Sequence, residues 1–236
     1  VERIGGTAGA ISVEFYTTNN VGITNSPATE GNGFDYKGVQ TRIHFADGET
    51  NATVEVLIFN DTLVETDEAI GIRLNAPVGG LLGRVISGTI FIQDDDVEFG
   101  LQSTNFNVFE GETNVFVTIV RYGRSDVEAT VDLIATNGVE QVSVLMTTNL
   151  ILDSQGVVLS TNIVTITNTN AIAAFPGVDF TAFTNTIRFT TGMLFTNVPI
   201  TITNNMLVEF DRSIEVKLGN PSPSSSVSLG TNSNAT

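Results

Sequence analysis

The run Ile90-Phe91-Ile92-Gln93-Asp94-Asp95-Asp96 places three consecutive carboxylates at the end of an alternating apolar stretch. A second apolar start, Val97 and Phe99, follows at once. Like charges in that position are either a solvated turn or the oxygen side of a cation site. Further hard-oxygen donors stand upstream at Asp35, at Asn60-Asp61 and at Glu65. If the loops that carry them gather at one end of a β-sandwich, six carboxylates converge. Calcium takes about six to eight oxygen ligands at roughly 2.3–2.6 Å and tolerates irregular geometry, whereas magnesium demands a strict octahedron and keeps its waters. Without a cation the cluster repels itself, since two unit charges 4 Å apart cost ~1 kcal/mol even in water. Each residue taken singly is an ordinary turn residue; the chemistry lies in the conjunction.

The remaining composition narrows the field. Of 236 residues, 41% are hydrophobic and only 15% charged, a balance that builds a core rather than a disordered chain. Lys plus Arg number 10 against 26 Asp plus Glu, a net charge of −16 that repels nucleic acid and anionic lipid. With no cysteine there is no disulfide, thiolate nucleophile or Cys-ligated zinc. The one histidine, His44, has no companion for metal or acid–base work and reads as a surface residue on a strand. No apolar run spans a membrane, no signal peptide is visible, and the chain reads as mature protein or a piece of something longer. Three sequons, at Asn51, Asn60 and Asn234, are expected by chance in a chain this rich in Asn and Thr. Carboxylate pairs also occur in glycosidases, but no Trp offers a sugar platform and no nucleophile, P-loop or zincin motif appears, so an enzyme is not expected.

The elements that must position the carboxylates are strands. Period-two alternation recurs at Ile11/Val13/Phe15, Val54/Val56/Ile58, Ile70/Ile72/Leu74, Val115/Val117/Ile119 and Ile214/Val216/Leu218. The chain also repeats itself. Shifted by 144 residues, Gly33–Pro77 lands without a gap on Gly177–Pro221 with 15 of 45 positions identical, which divides the chain into two like units. Asp35/Asp179, Leu63-Val64-Glu65/Leu207-Val208-Glu209 and Asp67/Asp211 are among the matches. Arg3–Asn19 matches Arg121–Asn137 at a shift of 118, so the second unit carries 26 extra residues. That insert, near 139–176, alternates enough for an extra hairpin, with an Asn-Thr tail as a loop. The second unit opens with two strands around the Glu110-Gly111 turn, whereas the first starts at Val1, near the end of the matching second strand. The last strand and acidic triplet of unit 2 have no counterpart in the chain. Open edges of this kind need a partner, which leaves strand donation between subunits as an alternative to a window from a longer array.

The Glu110-Gly111 turn, "GFDY", "IHFADGET", "VLIFNDTLVETDEAIGIRL", "PVGGLLG" and "TIFIQDDD" together resemble the Calx-β family. The resemblance implies an all-β fold of tandem immunoglobulin-like antiparallel β-sandwiches: module 1 over 1–97, lacking its first strand, and module 2 over 98–236, with the insert and lacking its last strand. It implies calcium as the cofactor, near the junctions between modules. It puts the ligands at Asp35, Asp61, Glu65, Asp94, Asp95 and Asp96 in module 1, and at Glu110, Asp179 and Glu209 in module 2. In module 2, Asn204-Asn205 stands where module 1 has Asn60-Asp61, so binding there is expected to be weak or absent.

The expected function is a non-enzymatic, calcium-stiffened structural or adhesion segment of an extracellular or cell-surface protein. Its partners would be neighbouring modules of the same array, and other copies or cell-surface and matrix proteins, with no nucleic acid and no membrane insertion. The alternatives are an intracellular calcium-sensing domain and a metal-free spacer or filament subunit.

Overall fold

A computed structural model describes residues 1–19, 26–31, 34–138, 141–152, 155, 158–209 and 211–236. The chain is all-β and divides into two compact units, Val1–Asp96 and Val97–Thr236.

Unit 1 contains β1 (Ile11–Asn19), β2 (Gln40–Phe45), β3 (Glu68–Val78) and β4 (Ser87–Ile92), hydrogen-bonded in the order β2-β1-β3-β4. All three pairings are antiparallel. Alternation fixes the inner face: Val13 and Phe15 of β1 point inward and pack on Ile43 and Phe45 of β2. Ala52, Val54 and Val56 cover this core from the opposite side.

Unit 2 contains β5 (Val97–Leu101), β6 (Asn114–Gly123), β7 (Ala129–Asn137), β8 (Gln141–Leu152), β9 (Val158–Ala173), β10 (Phe183–Phe189), β11 (Phe195–Thr201), β12 (Arg212–Ser222), β13 (Val227–Leu229) and β14 (Asn234–Ala235). One sheet runs β10-β7-β12-β9-β8 with β14 on β12, and the other runs β11-β6-β5-β13. The β10-β7-β12-β14 part repeats the wiring of β2-β1-β3-β4, so the two-residue β14 stands where module 2 was expected to lack its last strand. The two sheets close on an apolar core in which the rings of Phe99 and Phe189 lie 4.6 Å apart. This is the immunoglobulin-like sandwich, antiparallel except for two short parallel pairings, β12 with β9 and β13 with β5.

Three sequence expectations need correction. Thr53–Val56 alternates between exposed and half-buried residues, as a strand would, but Leu57 and Ile58 are both exposed and the segment carries only an isolated bridge at Ile58. Glu2 bridges Asn51, and Val1 and Ala52 exchange hydrogen bonds, at the positions equivalent to the Val120–Phe195 and Ile119–Thr196 pairs of β6 and β11. Second, no strand immediately precedes the Glu110-Gly111 turn; the strand before β6 is β5, and Phe106 instead donates its amide to Thr236. Third, the Asn-Thr tail of the insert lies within β9, paired to β8 in one long hairpin.

Candidate metal centre

The cleft forms because two segments of unit 1 run past the end of β3. Tyr36 is the anchor of the first. Its ring is fully buried against Ala28 and Ile70, and its hydroxyl donates to Asn19 Oδ1 at 2.9 Å. A buried aromatic directly after Asp35 fixes where that carboxylate emerges. The Asp35 carbonyl accepts from Phe59 N at 2.9 Å and its Oδ2 accepts from Thr29 N, locking the loop to the 53–59 segment. Asp61 closes a short turn by accepting Leu63 N at 2.8 Å on Oδ1. β3 begins at Glu68, opposite Ile92 at the end of β4, so the triplet leaves the sheet beside Glu65 and Glu68. Asp67 Oδ1 accepts from Asp94 N at 3.2 Å and ties the triplet to that turn.

The result is an open cleft of about 300 Å³ lined by Asp35, Asp61, Glu65, Glu68, Asp94, Asp95 and Asp96, together with Asn60 and Thr66 and an apolar base that includes Ile92. All six acidic residues expected in module 1 line it, and no Lys, Arg or His does. Glu68 is a seventh carboxylate that the sequence reading missed. Ligand oxygens of Asp35, Glu65 and Glu68 lie within 4.8 Å of one another, the one such triplet among the described residues. Comparison of the repeats held the signal for it, because position 68 is Glu and its equivalent, position 212, is Arg.

The electrostatics follow from burial and crowding. Burial, then Asp35 by hydrogen bond and charge, then Glu65 and Asp61, push the Glu68 carboxyl up to about 7. Burial, then Asp94 and Asp95, push Asp96 up to about 6. Glu65 is raised by burial and by Asp35, Asp61 and Asp94. Asp94 is raised chiefly by burial, with backbone hydrogen bonds from Glu65 and Asp96 working against it. Asp96 is only 5% exposed, and its Oδ1 is buried with no hydrogen-bond partner. A buried unpaired carboxylate oxygen is costly unless a cation meets it. The donor set is all oxygen, the set calcium takes.

Unit 2 builds the same frame and fills it differently. Phe180, buried like Tyr36, follows Asp179, whose carbonyl accepts from Thr203 N at 2.8 Å as Asp35 does from Phe59. Asp179 Oδ2 accepts from Phe175 N at 2.7 Å. Glu110 Oε1 accepts from Asn205 N at 2.8 Å. Glu209 Oε1 lies 3.0 Å from Arg212 Nη2. The three acids expected in module 2 are each engaged by a protein donor, as Asp35 and Asp61 are in unit 1; the difference is the Arg212 guanidinium where unit 1 has the Glu68 carboxylate.

The Calx-beta domain family model matches residues 1–96, 92–142 and 139–236. The chain belongs to the Calx-beta domain family. In this Calx-beta chain, the second and third matches overlap at residues 139–142, and β8 begins at Gln141. Extracellular matrix protein 3 of Lytechinus variegatus is 29% identical over 126 residues, covering 50% of this chain and 4% of that protein. Adhesion G-protein coupled receptor V1 of Danio rerio is 35% identical over 103 residues, covering 43% of this chain and 2% of the receptor. The chain therefore spans only a small fraction of these relatives. Among solved structures, CBD12 from CALX1.2 is 18% identical with a TM-score of 0.41, over 99% of this chain and 89% of its own. The apo form of the Calx CBD1 domain gives a TM-score of 0.43 at 18% identity, over 59% of this chain and 92% of its own.

Proposed function

We propose that this Calx-beta chain is a non-catalytic structural segment whose first unit binds calcium, and that the ion braces the run Asp94–Asp96 leading directly into β5. The observation that carries the reading is the buried, unpartnered Oδ1 of Asp96 in a cleft of seven carboxylates with no basic lining residue. Asp35, Asp61, Glu65, Glu68, Asp94, Asp95 and Asp96 would supply the oxygens, with water completing the shell. A bound divalent ion supplies positive charge there and offsets repulsion that the fold otherwise bears. Unit 2 does not fit the ion, because Arg212 already pairs with Glu209.

The setting proposed is extracellular or cell-surface, in an array whose partners are neighbouring modules and matrix or cell-surface proteins. It is supported by the names of the two curated relatives, an extracellular matrix protein and an adhesion receptor. Calorimetric titration of the full chain tests the reading. It predicts calcium binding by unit 1 at a dissociation constant of ~10⁻⁴–10⁻³ M, the range of extracellular modules. A constant near 10⁻⁶ M would point to an intracellular sensor. No binding at all would make the chain a metal-free spacer.

A further inference from the structure

In unit 1 the acidic turn Asp61–Glu65 and the first residue of β3, Glu68, face one another across the cleft. The repeat places Asn205, Glu209 and Arg212 at the equivalent positions of unit 2. Two substitutions there move the charge in one direction: Asp61 becomes Asn205, and Glu68 becomes Arg212. A guanidinium at that point cannot share a site with a divalent ion without like-charge repulsion. It can do the ion's electrostatic work itself.

We propose that Arg212 is the resident cation of unit 2, holding the 204–209 turn in the way a divalent ion holds the equivalent turn of unit 1. This rests on the calcium reading of unit 1 only for the comparison. The geometry stands alone: Nη2 is 3.0 Å from Glu209 Oε1 and the guanidinium carbon is 5.9 Å from the Phe175 ring centroid. Glu209 Oε2 in turn accepts from Asn205 Nδ2 at 3.5 Å, and Asn205 N donates to Glu110 Oε1. One cation thereby organises two of the acids that the family pattern would give to a metal. Phe175 is delivered by the insert, which has no counterpart in unit 1. The end of β9 pairs Ile172 with Arg212 and Ala173 with Ser213, and the chain then runs into Phe175, whose amide donates to Asp179 Oδ2. The extra hairpin and the arginine act together: the hairpin's exit supplies the ring under the guanidinium, while the Phe175 amide holds Asp179 just as the Thr29 amide holds Asp35 in unit 1.

Hydrogen exchange on the full chain tests this, reading the amides of Asn205 and Leu207, with β7 and β12 amides showing that unit 2 stays folded. In the wild type, 10 mM calcium and a chelator give the same exchange at both amides. In Arg212→Gln with chelator, exchange speeds up about fivefold, the scale of one lost ion pair of ~1 kcal/mol. Calcium then slows it again, because the freed acids accept an ion, while Arg212→Lys stays near the wild-type rate. Calcium protection of Asn205 in the wild type would overturn the proposal. So would an unchanged rate in Arg212→Gln, or a faster rate that calcium does not reduce. Amides of Leu63 and Asp94 report unit 1 separately, so failure of its calcium reading shows there and leaves the Arg212 result standing.

Discussion

At the scale of single residues, the cleft of unit 1 holds more negative charge than a metal-free protein would choose. Asp96 is the clearest case, with a buried oxygen that nothing in the protein satisfies. Asp96→Asn removes that charge, so the metal-free protein should melt no lower than the wild type while calcium binding weakens by tenfold or more, read by calorimetric titration and thermal unfolding together. A destabilised variant with unchanged affinity would mean that Asp96 serves the fold alone. Glu68 was missed because a residue at the start of an alternating strand reads as its solvent face; its one mark in the sequence is the mismatch with Arg212 in the repeat. Only the return of β4 beside it, Ile92 opposite Glu68, turns that position into part of a cleft. The triplet, Asp35, Asp61 and Glu65 were legible because they stand at strand ends in family order.

At the scale of elements, the cleft depends on a buried aromatic. Tyr36 is fully buried and its hydroxyl bonds Asn19, so Tyr36→Phe should cost ~1 kcal/mol, the net worth of one hydrogen bond. Tyr36→Ala should cost about 3 kcal/mol or more and should also weaken calcium binding, because Asp35 loses its anchor. Denaturant melts and calcium titration of both variants check this, and equal affinities would separate the anchor from the site. Strand alternation was legible throughout, yet Thr53–Phe59 is not a ladder strand. Hydrophobic period reports which face is covered, whereas a ladder needs a partner in register, and that information is not local. The long β8–β9 hairpin shows the same limit from the other side: its Asn-Thr tail looks like a loop by composition, and pairing with β8 makes it strand.

At the scale of the whole molecule, one frame appears twice with different charges, and the two units should answer pH in different windows. In metal-free unit 1 the folded state holds Glu68 at about 7 and Asp96 at about 6, above ordinary values of 4.5 and 3.8. Between about pH 4 and 7 the folded form therefore binds more protons than the unfolded, and unit 1 loses stability as pH rises through that window. In unit 2, Asp132 is held below its ordinary value of 3.8 by hydrogen bonds from Thr186 and then Asn220. That contribution is present above the ordinary value and is lost as pH falls through the lower folded value. Exchange protection in β3 and β7, followed from pH 4 to pH 7.5 in chelator, should fall in β3 and hold in β7; a fall in both would contradict the charge assignment. The repeat itself, and hence the two-unit plan, was legible from the 144-residue shift. The charge inversion between Glu68 and Arg212 was present in the same alignment but acquires meaning only once Glu209 is seen paired.

Calcium-dependent thermal unfolding of the full chain, at fixed ionic strength and with magnesium as the control, is the most direct test of a calcium-braced first unit beside an arginine-braced second. Calcium at about a hundred times its dissociation constant should stabilise unit 1 by ~2.7 kcal/mol, raising its transition by on the order of 10 °C. The unit 2 transition should not move, and magnesium should move neither. A unit 1 transition that is the same in calcium, magnesium and chelator would contradict the account.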